Sequence, residues 1–139
     1  MTASLLILLN GSSNMDEIRN SVDKLLGHPL TKVENTFATK ALGIEWVLYD
    51  DHDFDDDCGI EFTKYPYVLD LIPLDAGPDL ATYDLMYESA ALFMAYQLSR
   101  VLGCHTLVVR NLARSVAAYS SGRRQIVENR SKAVSLERR

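Results

Sequence analysis

The sequence predicts a single α+β domain, with a mostly antiparallel sheet of four or five strands packed against one long and one shorter helix. Three observations support this: short apolar segments bounded by turn residues, two segments with helical spacing of apolar residues, and short connections within residues 43–74. The chain has 139 residues, of which 47% are hydrophobic and 24% are charged. Such a length and composition are typical of one globular domain with a single core.

Two segments have the apolar spacing of α-helices. In the first, at about 14–27, apolar residues recur three or four positions apart, and Ser13 or Asn14 is placed to cap its start. The second, at about 80–102, is the longest, and Gly103 is placed to end it. Because its apolar arc is wide, we expect this helix to lie across one face of the sheet and to supply most of the core.

The remaining apolar segments are short and are predicted to be strands. The first of them is a continuous apolar run, which is typical of a strand buried on both faces. The expected strands are Ser4–Leu9, Lys32–Ala38, Ile44–Tyr49, Pro66–Leu74 and Thr106–Val109, and residues 111–119 are expected to form one more short helix.

Charge divides the chain into an acidic body and a basic end. Residues 1–119 hold 8 Lys and Arg against 17 Asp and Glu, whereas residues 120–139 hold 6 against 2. We therefore expect 1–119 to be a single acidic α+β domain and 120–139 to be a basic, flexible tail. The acidic body disfavours nucleic acid as a partner, since phosphate binding needs clustered Lys and Arg, and it favours a basic protein.

The expected location is the cytoplasm. The N-terminal segment lacks the basic residues of a signal peptide, and no segment approaches the ~20 apolar residues of a membrane span, so no membrane partner is expected. The two cysteines, Cys58 and Cys104, lack the spacing of a zinc site. Two reduced thiols are the simpler interpretation, and a disulfide between them is the alternative.

The strongest functional signal is an acidic segment between the strands at 44–49 and 66–74. Six carboxylates fall within residues 50–57. They repel one another, and each would cost several kcal/mol if buried unpaired, so the segment must face water, a cation or a basic partner. Aromatic residues beside a charged rim are typical of a protein-binding patch. The candidate partner-binding residues are Tyr49, Asp50, Asp51, Asp53, Asp55, Asp56, Asp57, Glu61 and Tyr65.

A divalent cation is an alternative ligand for these carboxylates. An EF-hand loop requires Gly at its sixth position and Glu at its twelfth. Counted from either Asp51 or Asp53, neither position holds the required residue. No metal ligand and no cofactor is therefore predicted, while a divalent-metal-binding domain using the 50–57 carboxylates stays an alternative function.

No catalytic residue is predicted. The sequence lacks the motifs of serine hydrolases, zinc proteases, P-loop proteins and dinucleotide-binding enzymes. Cys104 and His105 are adjacent, but neighbours along a strand point to opposite faces and cannot act as a nucleophile and base pair. The expectation is that the protein is not an enzyme.

An acidic α+β chain of this size, with an FxxYPYVLDLIP-type strand (Phe62 to Pro73) after an acidic loop, resembles the immunity proteins of bacterial polymorphic toxin and contact-dependent growth inhibition systems. The resemblance covers about residues 3–119. It implies that the protein binds and blocks one cognate toxin domain, often a nuclease with a basic active-site cleft. The basic tail departs from this pattern. An adaptor or a secretion chaperone for a basic effector would use the same charges and is the alternative; the oligomeric state is left open.

Overall fold

The computed structural model describes residues 4–74 and 80–127. Eight strands form one sheet in the order β2-β3-β4-β5-β1-β6-β7-β8, and every neighbouring pair is antiparallel. Two α-helices pack on one face. The strands are β1 (Leu5–Asn10), β2 (Thr31–Val33), β3 (Thr36–Ala41), β4 (Ile44–Asp50), β5 (Tyr67–Pro73), β6 (His105–Arg110), β7 (Arg114–Ser120) and β8 (Arg123–Gln125); the helices are α1 (Met15–Leu26) and α2 (Leu80–Leu102).

The predicted count of four or five strands is wrong. The segment expected to be one strand, 32–38, instead contains a turn with Glu34 at a φ of 56°, and this turn separates β2 from β3. The segment 111–119, expected to be a helix, contains β7. Asn111 and Leu112 both have positive φ and reverse the chain between β6 and β7, as in a tight hairpin.

A β-bulge explains why β7 resembled a helix in the sequence. The pairing with β6 shifts between Val108 and Val109, so that Val116 is an extra residue without a directly opposed partner. An extra residue interrupts the alternation of inward and outward side chains that identifies a strand. The bulge thereby leaves three apolar residues at a spacing typical of a helix: Leu112, Val116 and Tyr119.

Both helices lie at the segments where apolar spacing predicted them. The Asn14 side chain accepts a hydrogen bond from the Glu17 backbone N–H at 2.9 Å, and the Glu17 carboxylate accepts one from the Asn14 N–H at 2.9 Å. This capping box fixes the start of α1. Gly27, with a φ of 71°, ends α1 by donating its N–H to the Asp23 carbonyl.

The central strand β1 is buried on both faces, as its continuous apolar run predicted. Leu5, Ile7 and Leu9 pack in the core beneath the helices, while Leu6 and Leu8 pack in a second cluster on the opposite face. The sheet is therefore covered on two sides. The helices form one cover, and the second cover is a loop.

Arg123–Gln125 pairs with β7 as the strand at one edge of the sheet, so the first part of the expected tail belongs to the fold. Residues 128–139 lie outside the described part of the chain, and a flexible tail stays a prediction for them. Cys58 and Cys104 are both free thiols. Within 4–74 and 80–127, neither helix is long and apolar enough to span a membrane.

Candidate protein-binding surface

The acidic loop, residues 51–66, connects β4 to β5 and folds back over the sheet face opposite the helices. Its flanking strands, β4 and β5, pair with each other directly and are antiparallel. Ile60, Phe62 and Tyr65 of the loop are buried against the sheet. The strand residues that they cover include Leu6, Leu8, Val68, Leu107, Val109 and Ala118.

A tight turn at the tip gives the loop its direction. Cys58 and Gly59 have φ values of 52° and 76°. Asp57 and Ile60 on either side exchange two backbone hydrogen bonds of 3.0 and 2.8 Å. Two consecutive residues with positive φ are typical of a type I′ turn, which favours glycine at its second position. This reversal brings Ile60 down onto the sheet.

After the turn, Phe62–Lys64 forms a 3-10 helix. Apolar and polar residues alternate at 60–63, which is typical of extended chain, yet the segment is helical. Tyr65 donates its backbone N–H to the Phe62 carbonyl at 3.0 Å, which tightens the segment into one helical turn. This helical turn directs the rings of Phe62 and Tyr65 toward the sheet. The alternation of apolar and polar residues therefore reflects packing and not strand pairing.

Two side chains tie the acidic loop to itself. Asp56 accepts hydrogen bonds from the backbone N–H and the hydroxyl of Thr63, both at 2.9 Å, and these bonds hold the pKa of Asp56 below its usual value. His52 Nε2 lies 2.5 Å from the Tyr65 carbonyl, and His52 Nδ1 accepts the Phe54 N–H at 3.2 Å. The two ends of the loop are therefore fixed relative to each other.

Aromatic contacts complete the attachment. The Phe54 ring lies 5.2 Å from His52 and 5.5 Å from Phe62, and the Tyr65 ring lies 5.7 Å from His105 on β6. Tyr49, at the end of β4, packs against the same cluster. Burial, followed by the negative charges of Asp70 and Asp53, raises the pKa of Tyr49 to about 12.

The structure brings the sequence-predicted site residues together but divides them into two roles. Six carboxylates are exposed to solvent: Asp50, Asp51, Asp53, Asp55, Asp57 and Glu61. Asp56 is also exposed, but it is engaged by Thr63. The two tyrosines lie beneath this surface: Tyr49 is half-buried, and Tyr65 is only 8% exposed.

The outward carboxylates have little internal compensation. In the described ranges, the only ion pair of this loop joins Lys64 Nζ to Glu61 Oε1 at 2.9 Å. We call the group formed by Asp50, Asp51, Asp53, Asp55, Asp57 and Glu61 the acidic surface. Its charge is largely uncompensated, and its residues are held at the end of β4 and on a loop with a defined conformation.

Sequence reasoning missed the inward half of this loop. His52, Phe54, Ile60 and Phe62 hold it on the sheet, yet none was a candidate site residue. Two features of the sequence could have revealed this inward half. The second buried face of β1 needs a cover, and the alternation of Asp with His and Phe at 51–55 supplies inward-facing side chains.

Clefts adjoin the acidic surface on two sides. One, of about 480 Å³, lies between the start and the end of the loop and is lined by residues that include Asp50, Asp51 and Tyr65. The other, of about 550 Å³, lies between Glu61 and the strands β6 to β8, where Leu107 and Ala118 form part of its lining. In the part of the chain that the structure describes, no three His, Cys, Asp or Glu side chains are grouped as metal ligands would be.

Comparison with protein-family models, with curated proteins and with solved structures found no match to this chain. The site combines uncompensated negative charge, clefts that can accept side chains and a loop whose position is fixed by packing.

Proposed function

We propose that this chain is an immunity-type protein that binds a basic toxin domain through the acidic surface and thereby blocks the toxin. The observation that carries the proposal is that five of these carboxylates form no ion pair in the described residues although they crowd the short segment 50–57: Asp50, Asp51, Asp53, Asp55 and Asp57. Gathering like charges in this way is unfavourable for the isolated domain. A basic partner would remove the repulsion.

The anchored loop supports binding by a rigid surface. Ordering a flexible segment on binding reduces affinity, since side-chain and loop freedom is lost. Here His52, Phe62 and Tyr65 already hold the loop, so a partner meets preformed charges. Tyr65 contributes to this surface chiefly by keeping the loop in place, and Tyr49, which is only half-buried, keeps part of its side chain accessible for contact with a partner.

The cytoplasm is the proposed site of action, where an immunity protein would meet an incoming toxin domain. An adaptor or secretion chaperone for a basic effector would present the same acidic surface. The two functions differ in their consequence. An immunity protein abolishes the activity of its partner, whereas a chaperone or adaptor leaves the activity of the delivered partner intact.

The test begins with a pull-down of the partner from the source cells and continues with the double variant Asp53→Asn/Asp55→Asn. Charges at the rim of an interface mainly set the association rate and its salt dependence. We expect the association rate with the basic partner to fall about tenfold at low salt, with a flatter dependence on ionic strength. Stopped-flow or surface plasmon resonance measures both.

The matched control is Asp16→Asn/Glu34→Gln, which changes the net charge equally but alters exposed residues in α1 and in the β2–β3 turn. It should leave the association rate nearly unchanged. An equal loss in both double variants would show that only overall charge matters and would remove the acidic surface from the proposal. Full toxin activity in the complex would favour the adaptor or chaperone instead.

The same variants test the divalent-metal alternative. A cation bound by the carboxylates at 50–57 would stabilise the folded state, and calcium or magnesium would then raise the thermal midpoint. We expect neither metal to raise the midpoint of the wild type. A rise that is lost in Asp53→Asn/Asp55→Asn would identify a cation as the ligand of this loop.

A further inference from the structure

The cleft of about 550 Å³ between the acidic loop and the strands β6 to β8 is lined mostly by apolar residues, and we call it the β8 groove. Ile60 lines it on the loop side, and Leu107 and Ala118 line it on the sheet side. Among the described residues that line it, Glu61 is the only Asp, Glu, Lys or Arg. The β8 groove therefore offers apolar surface beside one negative charge, with no Lys or Arg to oppose a basic occupant.

The chain enters this groove after β8. Ile126 and Val127, which follow β8 directly, both line it. Val127 packs on the cluster beneath the acidic loop, so the backbone has already left the sheet edge for the loop face at this point. Ile126 is 95% exposed, and the described residues leave this apolar side chain without a cover. A segment that continues from Val127 thus begins inside the groove, next to apolar surface that it can bury.

The residues that follow have the complementary charge. Residues 128–139 hold four basic and two acidic side chains, a net charge of +2, and the first basic ones are Arg130 and Lys132. Extended chain spans at most about 3.6 Å per residue, so their Cα atoms lie within about 11 and 18 Å of Val127. Because Val127 and Glu61 line the same groove, both basic side chains can reach the acidic loop without any change in the described fold.

The covalent connection compensates for the weakness of single contacts. Ion pairs in solvent are individually weak and are screened by salt. A short flexible connection, however, holds a segment near its site at an effective concentration in the millimolar range. The net charge of +2 offsets only part of the six carboxylates of the acidic surface, so this surface stays negative with the segment in place.

We propose that residues 128–139 bind in the β8 groove of the same chain and place Arg130 and Lys132 against the acidic surface. The segment then extends the cover of the loop face toward β8 and buries apolar surface around Ile126. A tail free of contacts, as the composition alone predicts, is the competing arrangement.

Nitrogen-15 relaxation of the full chain distinguishes the two arrangements. Order parameters are about 0.85 for rigid backbone and below about 0.6 for flexible backbone. We expect values above about 0.6 at residues 128–132, and the same values at two protein concentrations about tenfold apart, because a contact within one chain does not depend on concentration. Values below about 0.6 throughout 128–139 overturn the proposal. Order that appears only at the higher concentration also overturns it, since the segment would then bind another copy.

Two double variants with equal changes of charge test the placement. Arg130→Glu/Lys132→Glu should lower the order parameters at 128–132 to the values of a free tail and should shift the amide signal of Gly59, which lines the groove. Arg138→Glu/Arg139→Glu is the matched control and should leave both nearly unchanged, because these residues lie eleven and twelve positions beyond Val127. An equal response to both double variants would show that only net charge matters and would overturn the proposal.

The consequence for binding rests on the proposed function. A basic toxin domain would have to displace the segment from the acidic surface, and the occupied fraction of molecules is unavailable to it. We expect Arg130→Glu/Lys132→Glu to raise the association rate about threefold more than Arg138→Glu/Arg139→Glu does. Equal rates would exclude this competition. The relaxation measurements need no partner, so a free tail would overturn the docking alone, whereas failure to bind any basic partner would overturn the proposed function alone.

Discussion

The two faces of the sheet are covered in different ways. On one face, α1 and α2 form a continuous layer. Two hydroxyl groups join α2 to the sheet: Tyr87 on α2 donates to the Leu71 carbonyl on β5, and Thr106 on β6 donates to the Ala95 carbonyl on α2 at 2.9 Å. On the other face, the cover is the acidic loop, held by a few inward side chains. Regular elements thus build the first face, and a loop builds the second.

This difference separates the part of the fold that contributes most of its stability from the part that carries the proposed binding surface. The helix face buries most of the large apolar side chains, including Trp46, and contributes the larger share of the hydrophobic stabilisation. The loop face buries fewer residues and leaves part of the sheet uncovered near β4 and β5, where Ile72 is 40% exposed. Binding surfaces are commonly drawn from the less stable parts of a fold. The acidic loop fits that pattern.

The largest expected effect is on the helix face, for Met94→Asp. Met94 is 2% exposed, and an unpaired carboxylate there would cost several kcal/mol, which is a large part of the stability of a domain this size. We expect no cooperative unfolding transition by circular dichroism. The neighbouring variant Phe93→Asp should fold normally, because the side chain at position 93 faces outward. If Met94→Asp folds as well as Phe93→Asp does, α2 does not cover the core at Met94.

On the loop face, Phe62→Ala should have an intermediate effect. Removing a buried Phe usually costs 3–5 kcal/mol, but a loop can collapse into the vacated space, so we expect about 2–3 kcal/mol. The variant should also reduce partner binding, although it alters no carboxylate, because the loop loses its anchor. Urea denaturation and the partner association rate are the two measurements. Unchanged binding in a destabilised variant would mean that the loop conformation is not required.

Much of the helix face followed from the sequence, because its signals are local. The caps of α1 and the long apolar arc of α2 depend on residues a few positions apart. The continuous apolar run of β1 likewise predicted burial on both faces. The strand count failed where local signals were weak: β2 and β8 have three residues each, all exposed, and lack the alternation that a half-buried strand shows.

The acidic loop was predicted as a charged surface but not as a cover. Its Asp residues dominate the composition and conceal the inward positions of Phe54 and Ile60. Their role depends on strands distant in sequence, such as β6, whose His105 contacts Tyr65. Contacts of this kind are set by tertiary packing and have no period in the local sequence. The sequence therefore identified which residues are charged, while the structure identified what holds them in position.

The smallest expected effect concerns Asp70. This residue is on β5, on the face opposite the helices, with Leu6 and Val47 beside it on the neighbouring strands. Burial raises the pKa of Asp70 above its ordinary value, and its charge contributes to the raised pKa of Tyr49. The folded state therefore binds this proton more tightly than the unfolded state does.

The sign of the pH effect follows from that difference. A carboxyl with a raised folded-state pKa stabilises the fold below its unfolded pKa of about 4, and this contribution is lost as the pH rises through the folded pKa. Asp70→Asn should thus increase the free energy of unfolding at neutral pH, by less than about 1 kcal/mol because solvent reaches the site and screens the charge. The gain should vanish at acid pH, where Asp70 is already neutral. Glu34→Gln, at an exposed turn, should show no such pH-dependent gain. An equal gain in the free energy of unfolding at neutral and at acid pH would mean that Asn packs better than Asp on this face. The charge of Asp70 would then not be the cause of the gain.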